Sequence, residues 1–500
     1  MDRKRGFRIV IRSLVRARDV PRLDRSLLTA LLLGAAVRIV PIEVWWRRPC
    51  IRDECTYRDL AGSIARGDGM VGTKGWLWAP GYPSVIAAHA SLFGRLNTVK
   101  YTQVAVALLT IWLLWRFTRA HFGPRAATIA AFLLALSPTH AFYASSLWSE
   151  CFYTAILFGM VSAIGWARGE PPGGLEAAPT AAPTPNSSGG DQEAAPAVEP
   201  NRVPALLRAA AVGILLGACV LFRGVATYLL PLVAITLVWG RWRSGAAWRS
   251  VVAMGLAAAL TVAPYSVYAT QKFGALIVSD RTLGQMLWLG DNDYPPVSFD
   301  FGNGPIDEDE FDAMTSSGRP HCPFEDDAIA QDACETRAGI QWIKDHPVEF
   351  VERMPLRVAQ LLNPHSLLTR NLRTGHWKGL PNWVDQALVL AVVASSFVVL
   401  LGGTLGLFAR GRGWYAVGSA LIVTYHVAAI ACLAGLSRYR VPLEPLWMVY
   451  AAGFLADPKA ALAALRADPR RGWGAVLVGA ILLGLMMWFL PTGWRSWKTW

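Results

Sequence analysis

Two adjacent carboxylates, Asp53 and Glu54, follow the first apolar run of the chain and stand between Cys50 and Cys55. A positioned carboxylate can act as a general base that takes a proton from an attacking hydroxyl group. The segment before the apolar run is rich in arginine and lysine, so the positive-inside rule keeps it in the cytoplasm and places the acidic pair outside. Because ionisable groups at a bilayer are costly, we expect chemistry on this outer face.

Charged residues from distant parts of the sequence are predicted to join the acidic pair. Glu150 lies at the outer start of the fourth apolar span, and Arg223 lies at the outer turn between the fifth and sixth spans. Arg438 and Arg440 lie at the outer turn before the tenth span, against the positive-inside rule. Acids beside cations suit a reaction in which a base activates a nucleophile and cations stabilise an anionic leaving group.

The composition predicts an all-α polytopic membrane protein. Of the 500 residues, 53% are hydrophobic and 17% are charged, whereas a soluble protein carries about 25% charged residues. Much of the net charge of +13 lies in the N-terminal arm and in short cytoplasmic loops, so it indicates anionic lipid headgroups and not nucleic acid as the partner.

Apolar runs of sufficient length predict about eleven transmembrane helices. They are 27–46, 98–117, 124–140, 147–167, 204–222, 224–240, 250–269, 385–408, 414–434, 441–456 and 473–491. Basic residues in the alternate loops agree with a cytoplasmic N-terminus. The first run lacks a clear small-residue cleavage site, so we expect it to remain as a span.

The segments between the spans complete the predicted organisation. Its parts are a basic cytoplasmic arm (1–26), an N-terminal membrane module (27–168) whose catalytic outer loop (47–97) holds interfacial helices, a disordered cytoplasmic linker (169–202), central spans (203–269), a small extracytoplasmic lid (270–384) and C-terminal spans (385–491). The acidic run 307–312 in the lid is typical of a solvated face.

The seven cysteines divide by location. Cys50 and Cys55, and likewise Cys322 and Cys334, fall outside the membrane, where disulfides persist, so both pairs are candidates. The other three lie in apolar runs and are interpreted as small core residues. They are Cys151, Cys219 and Cys432. The outer histidines lack metal-ligand spacing, so we expect no zinc site. They are His321, His346, His365 and His376.

Five ordered stretches resemble the membrane glycosyltransferases of the C-type (GT-C) superfamily, which include protein O-mannosyltransferases and the aminoarabinose transferase of lipid A. They are Asp53-Glu54-x-x-Tyr57-x-x-Leu60-Ala61; Ala79-Pro80-Gly81-Tyr82-Pro83; Ser137-Pro138 with Ser149-Glu150; Gly290-Asp291-Asn292 with His346-Pro347-x-x-Phe350; and Arg438-Tyr439-Arg440-Val441-Pro442-x-x-Pro445. The resemblance implies a polyprenyl-phosphate donor carrying one sugar, and transfer with inversion at the outer face.

The resemblance also implies roles for individual residues. Asp53 would be the catalytic base, Glu54 would orient the acceptor or support the base, and Glu150 would be a second acid near the sugar. Three arginines would hold the donor phosphate, whose oxygens match a guanidinium fork. They are Arg223, Arg438 and Arg440. The supporting residues would be Tyr57, Tyr82, Tyr439 and Asn292. A neutralised phosphate leaves readily, so no cofactor is implied and a divalent metal is not required.

Each of these residues also has an ordinary structural explanation. The acidic pair could end a solvated loop and pair with Arg47, Arg48 or Arg52. Glu150 could simply favour a helix N-terminus, and Arg223 could reach lipid headgroups. The Asp291–Asn292 pair is more typical of a turn than of a site.

Two other functions remain open. A transporter or lipid flippase would explain the many spans, but the charges gather at one face and no internal repeat is visible. A polysaccharide polymerase or ligase would need no early acidic pair. For the transferase, we expect a glycan, lipid or protein acceptor, lipid partners and a bacterial cytoplasmic membrane with the active site on its extracytoplasmic face.

Overall fold

The computed structural model describes residues 24–45, 48–51, 53–71, 77–170, 203–292, 322, 327–373, 380–488 and 490. In these residues the regular structure is helical, with one isolated bridge between Leu77 and Arg281. The expected all-α polytopic membrane fold is confirmed. Most of the basic arm, most of the linker and the acidic run 307–312 lie outside the described residues. So do Arg47, Arg52, His321 and His376.

The helices are numbered in chain order. They are α1 (Arg25–Val44), α2 (Asp53–Arg66), α3 (Gly81–Phe93), α4 (Val99–Ala135), α5 (Pro138–Ser145), α6 (Glu150–Arg168), α7 (Ala205–Phe222), α8 (Leu230–Val238), α9 (Gly245–Phe273), α10 (Leu283–Gly290), α11 (Ala328–Asp345), α12 (Pro347–Leu362), α13 (Leu367–Arg373), α14 (Asn382–Arg410), α15 (Gly413–Ala431), α16 (Glu444–Ala456), α17 (Pro458–Ala467) and α18 (Pro469–Trp488). Two 3₁₀ turns that matter for the site are Gly224–Leu229 and Ser437–Leu443.

The number of spans differs from the sequence expectation. Among the described helices, eight are long and apolar enough to cross a membrane, or nine if the bent pair Ser437–Ala456 and Pro458–Ala467 is one span. The predicted number of eleven is not confirmed. Predicted spans 98–117 and 124–140 correspond to the two halves of α4, which is counted here as one span although it is broken at Gly123, and the predicted span 224–240 is a shorter apolar helix.

Helix α4 is interrupted at Gly123, where φ is 83° and ψ is 178°. This conformation is essentially restricted to glycine. Before the break, Tyr101 donates to Glu43 near the end of α1. After the break, the hydroxyls of Thr128 and Ser26, near the start of α1, lie 2.9 Å apart. The chain therefore reverses at Gly123, and both halves of α4 run beside α1.

The C-terminal helices pack closely enough to hold the turn Ser437–Leu443. Helix α16 follows this turn directly, and a Cβ atom built at Gly406 of α14 would lie 2.1 Å from the carbonyl oxygen of Tyr450 in α16. Only glycine allows the two backbones to approach so closely. This contact anchors the helix that continues from the turn.

The first outer loop forms the two helices that periodicity indicates, α2 and α3. Buried Tyr57 of α2 packs against Tyr82 and Ile86 of α3. The outer block likewise forms α11 and α12 over the segment in which apolar residues recur at helical spacing.

Both candidate disulfides are present, Cys50–Cys55 and Cys322–Cys334. Cys151 and Cys219 are buried as expected. The interpretation of Cys432 as a core residue is wrong, because this residue is exposed. It follows Ala431 as the C-cap of α15, where the chain leaves the helix packing.

The reversal at Gly123 leads to a stability prediction. We expect Gly123→Ala to lower the free energy of unfolding by about 1–3 kcal/mol, because a Cβ atom disfavours this backbone conformation. Thermal unfolding in detergent measures the effect. The matched control is Gly255→Ala in α9, where an added Cβ would meet nothing within 4 Å. An equal Tm for the two variants would contradict the assigned strain.

Candidate active site

The predicted outer loop and the late arginine turn meet through Asp53 and Arg438. Asp53 is the first residue of α2, and Arg438 is the second residue of the 3₁₀ turn. Arg438 Nη1 donates to Asp53 Oδ2 at 2.6 Å. The side chain of Asp53 is 23% exposed and that of Arg438 is 14% exposed, so solvent or a substrate can reach the pair.

Aromatic rings hold the guanidinium of Arg438 in place. Its Cζ atom lies 5.0 Å from the ring centroid of Trp148 and 5.1 Å from that of Tyr439. The Tyr439 hydroxyl donates to Met286 Sδ of α10 at 3.4 Å. Stacking of a planar cation on aromatic faces restricts its rotation. The guanidinium is therefore positioned without being completely enclosed.

A second acid–arginine pair lies against the same tyrosine. Arg223, between α7 and its following turn, donates to Glu150 Oε1. Its Cζ atom lies 5.6 Å from the centroid of Tyr439. Arg223 and Arg438 thus flank one ring, and both guanidinium groups belong to one cluster.

Glu150 is the first residue of α6 and is completely buried. Its Oε2 atom has no hydrogen-bond partner among the described residues. Next to it, Ser149 accepts hydrogen bonds from Arg223 at 3.3 Å and from the hydroxyl of Tyr57 at 3.2 Å. Through these contacts α2 and the turn after α7 both meet Ser149, directly before α6.

Asp280 fixes the residue that follows Arg223. The backbone N–H of Gly224 donates to Asp280 Oδ2 at 3.1 Å. A Cβ atom at Gly224 would lie 2.2 Å from Asp280 Oδ1, so a side chain there would disrupt the contact. Burial raises the pKa of Asp280 to about 6, although the hydrogen bond from Gly224 opposes the shift.

Glu54 occupies a different environment from Asp53. It is buried, and both of its oxygens accept from Arg48 at 2.6 and 2.7 Å. The backbone N–H of Leu147 also donates to Glu54 Oε1 at 2.7 Å. Glu54 therefore links the first outer loop to the segment before α6. Its implied role stays a prediction, and these contacts fit support of the base better than orientation of the acceptor.

Tyr82 lies behind the cluster. Its ring packs edge-on against Tyr57 with centroids 4.8 Å apart, and its hydroxyl donates to Gln103. Gln103 Nε2 in turn donates to the carbonyl oxygen of Ser146 at 2.7 Å. Tyr82 thus contacts the site through Tyr57.

Arg440 is not brought to the cluster. Its side chain is 1% exposed and points into the helix core, where Nε donates to Glu444 at 2.9 Å and Nη2 donates to Ser396 at 2.8 Å. Its Nη1 donates to the carbonyl oxygen of Asn363. Because every nitrogen is occupied, the geometry does not support the implied contact of Arg440 with a phosphate.

Asn292 likewise makes hydrogen bonds to neighbouring backbone and side-chain groups outside the cluster. Its amide donates to the carbonyl oxygen of Trp288 at 2.5 Å, and its own carbonyl accepts from Arg353 at 2.9 Å. The neighbouring Asp291 is buried and pairs with Arg357 at 2.5 Å. This arrangement agrees with the turn interpretation of the segment.

Sequence reasoning missed several residues of the site. Ser149 belongs to a stretch that carries the resemblance, but no role was predicted for it, and a tryptophan next to an apolar run, such as Trp148, does not signal a site. Asp280 lies in a loop without a motif. Arg48 is one of the three arginines that the sequence offers as partners of the acidic pair. Nothing in their spacing distinguishes these residues from their neighbours.

No protein-family model matches the sequence, and no curated protein matches it either. Among solved structures, the apo oligosaccharyltransferase of Archaeoglobus fulgidus is 15% identical with a TM-score of 0.47, covering 96% of this chain and 56% of that chain. ArnT from Cupriavidus metallidurans bound to undecaprenyl phosphate is 13% identical with a TM-score of 0.40, covering 86% and 77%.

The chain spans about half the length of the oligosaccharyltransferase chains it matches. In a second structure, the complex with zinc and sulfate, it covers 53% of that chain. At these TM-scores the chemistry of the site rests on its own residues.

The raised pKa of Asp280 predicts a pH dependence of stability. The folded chain binds this proton more tightly than the unfolded chain, so the free energy of unfolding falls as the pH rises from 3.8 to about 6. We expect Asp280→Asn to reduce this slope in thermal unfolding experiments in detergent. Asp59→Asn, which alters an exposed carboxylate of α2, is the control and keeps the slope. Identical slopes in the two variants would disprove the assignment.

Proposed function

We propose that this protein is an inverting glycosyltransferase that moves a sugar from a polyprenyl-phosphate donor to an acceptor hydroxyl group. We place the reaction at the extracytoplasmic face of a bacterial cytoplasmic membrane. The observation that carries the proposal is the contact between Asp53 and Arg438, beside the pair of Glu150 and Arg223. An accessible carboxylate thereby lies next to two cations, as general-base chemistry with an anionic leaving group requires.

The two arginines are suited to the donor phosphate. Arg223 and Arg438 flank Tyr439 and keep 17% and 14% exposure, respectively. Arg438 Nε has no hydrogen-bond partner among the described residues. A phosphate that bridges the two guanidinium groups would have its charge neutralised from two sides, which lowers the barrier to its departure.

In the proposed reaction, Asp53 takes the proton of the acceptor hydroxyl while its oxygen attacks the anomeric carbon of the sugar. The bond between that carbon and the phosphate oxygen breaks, and its electron pair stays on the phosphate. Attack opposite the leaving group inverts the configuration. When the phosphate contacts Arg438, it competes with Asp53 for the guanidinium, which leaves the carboxylate freer to accept a proton.

Glu150 supports the site from within. It is buried behind Arg223, so we assign it to holding that arginine and to the field near the sugar. The lipid tail would lie in a groove between membrane helices. The acceptor is a glycan, a lipid or a protein, and the proposed reaction needs no metal or other cofactor.

The test is incubation of the purified, detergent-solubilised protein with a panel of radiolabelled polyprenyl-phosphate monosaccharides. Turnover of one donor, seen as released polyprenyl phosphate, supports the transferase and names the sugar. Failure of every donor both to react and to bind would reject the proposal. The transporter and polymerase explanations would then take precedence.

Asp53→Asn is expected to reduce kcat by about 10²–10⁴-fold, because it removes the proton acceptor at nearly constant volume. Turnover is measured with the donor identified in the panel. The matched control is Asp59→Asn, which removes an exposed carboxylate from the same helix and should leave turnover unchanged. Wild-type kcat in Asp53→Asn would exclude the base and favour a polymerase or ligase.

Arg438→Ala is expected to raise the donor KM by about tenfold or more, the effect of losing a charge-assisted hydrogen bond, with little change in the acceptor KM. Steady-state kinetics with each substrate varied in turn measures the two constants. Arg58→Ala, which removes an exposed arginine of α2, serves as the control. Equal increases in both KM values would contradict the phosphate role.

A further inference from the structure

We propose that the Cys50–Cys55 disulfide positions Asp53 for proton abstraction, so that turnover requires the oxidised form of the protein. The inference rests on the proposed function, because it concerns the residue assigned there as the base. Cys50 lies in the loop before α2 and Cys55 lies in the first turn of this helix, five residues later. Asp53 and Glu54 are inside the closed ring.

The first turn of a helix needs external support. Its leading backbone N–H groups have no partner within the helix, and helix ends fray. Asp53 is the first residue of α2. The disulfide joins the third residue of the helix to the preceding loop, so it limits fraying at the position from which the carboxylate projects.

The ring is also anchored from the protein side. Glu54 accepts from Arg48 through both oxygens and from the backbone of Leu147, and its own N–H donates to the carbonyl oxygen of Ile51 at 3.1 Å. Successive helix residues point about 100° apart, so Glu54 can be buried while its neighbour faces outward. The anchor orients the turn and the disulfide closes it.

The reaction makes this support necessary. Asp53 is held by Arg438 at 2.6 Å. The proposed donor phosphate takes that arginine as its own partner, so the ion pair weakens at the moment when the carboxylate must accept a proton. The disulfide is a covalent constraint that donor binding does not remove.

The chain supplies a matched control in the Cys322–Cys334 disulfide. It closes a longer ring, with a sequence separation of 12 against 5, and it ends on α11 and not on α2. In the chain-entropy model a longer ring contributes more stability. Loss of this bond should therefore cost more stability than loss of Cys50–Cys55, while leaving Asp53 in place.

The experiment compares the double variants Cys50→Ser/Cys55→Ser and Cys322→Ser/Cys334→Ser in detergent. For the first we expect kcat to fall by about 10- to 100-fold, as expected for a misplaced catalytic group, with little change in the donor KM. For the second we expect near-normal kcat and the larger fall in Tm. Equal kcat values in the two variants would overturn the proposal.

A second arm applies even where the first variant does not fold. In Cys322→Ser/Cys334→Ser the Cys50–Cys55 bond is the remaining disulfide, and the exposed thiol of Cys432 is blocked beforehand with maleimide. A phosphine reductant then opens the bond, which mass labelling of the new thiols verifies. Turnover should fall on reduction and return on reoxidation.

The outcomes separate the two proposals. Turnover by the Cys322→Ser/Cys334→Ser variant that survives verified reduction would reject the positioning role and leave the transferase intact. Absence of both donor binding and turnover in the oxidised wild-type protein would reject the transferase, and the positioning role with it.

Discussion

The ion pair between Asp53 and Arg438 joins parts of the chain that are 385 residues apart, and the geometry of the site depends on it. Neither partner could hold the other unless both were already placed. Glu54 fixes the helix that carries Asp53, and Glu444 fixes the turn that carries Arg438 through its contact with Arg440. A partly exposed ion pair thus rests on supporting side chains that are almost completely buried.

The two arginines of one motif differ in exposure because one supports the turn and the other forms the ion pair. Arg440 is 1% exposed and Arg438 is 14% exposed. A desolvated guanidinium is costly unless its donors are satisfied, and Arg440 satisfies them in the helix core. In a 3₁₀ turn with three residues per turn, residues two apart point in different directions. One side chain therefore faces the core while the other faces the site.

Local pattern was a reliable guide to the helices and a poor guide to the roles of individual charged residues. Apolar periodicity indicated α2, α3, α11 and α12 at useful accuracy, because burial of one face requires it. The reversal at Gly123 falls between the two predicted spans 98–117 and 124–140, which correspond to the two halves of α4. Glu54 and Arg440 carry the same charges as Asp53 and Arg438, and pattern alone could not separate the buried residues from the partly exposed ones.

From the order of residues alone follow the membrane class, the helical architecture, the candidate disulfides and the convergence of acids and arginines on one face. These rest on hydrophobic length and charge placement, which are local properties of a chain in a bilayer. The pairings that define the site depend on how helices pack. The partners of Asp53, Glu54 and Arg223, and the exclusion of Arg440, required the tertiary structure, because a hydrogen bond between distant residues depends on distances that sequence spacing does not specify.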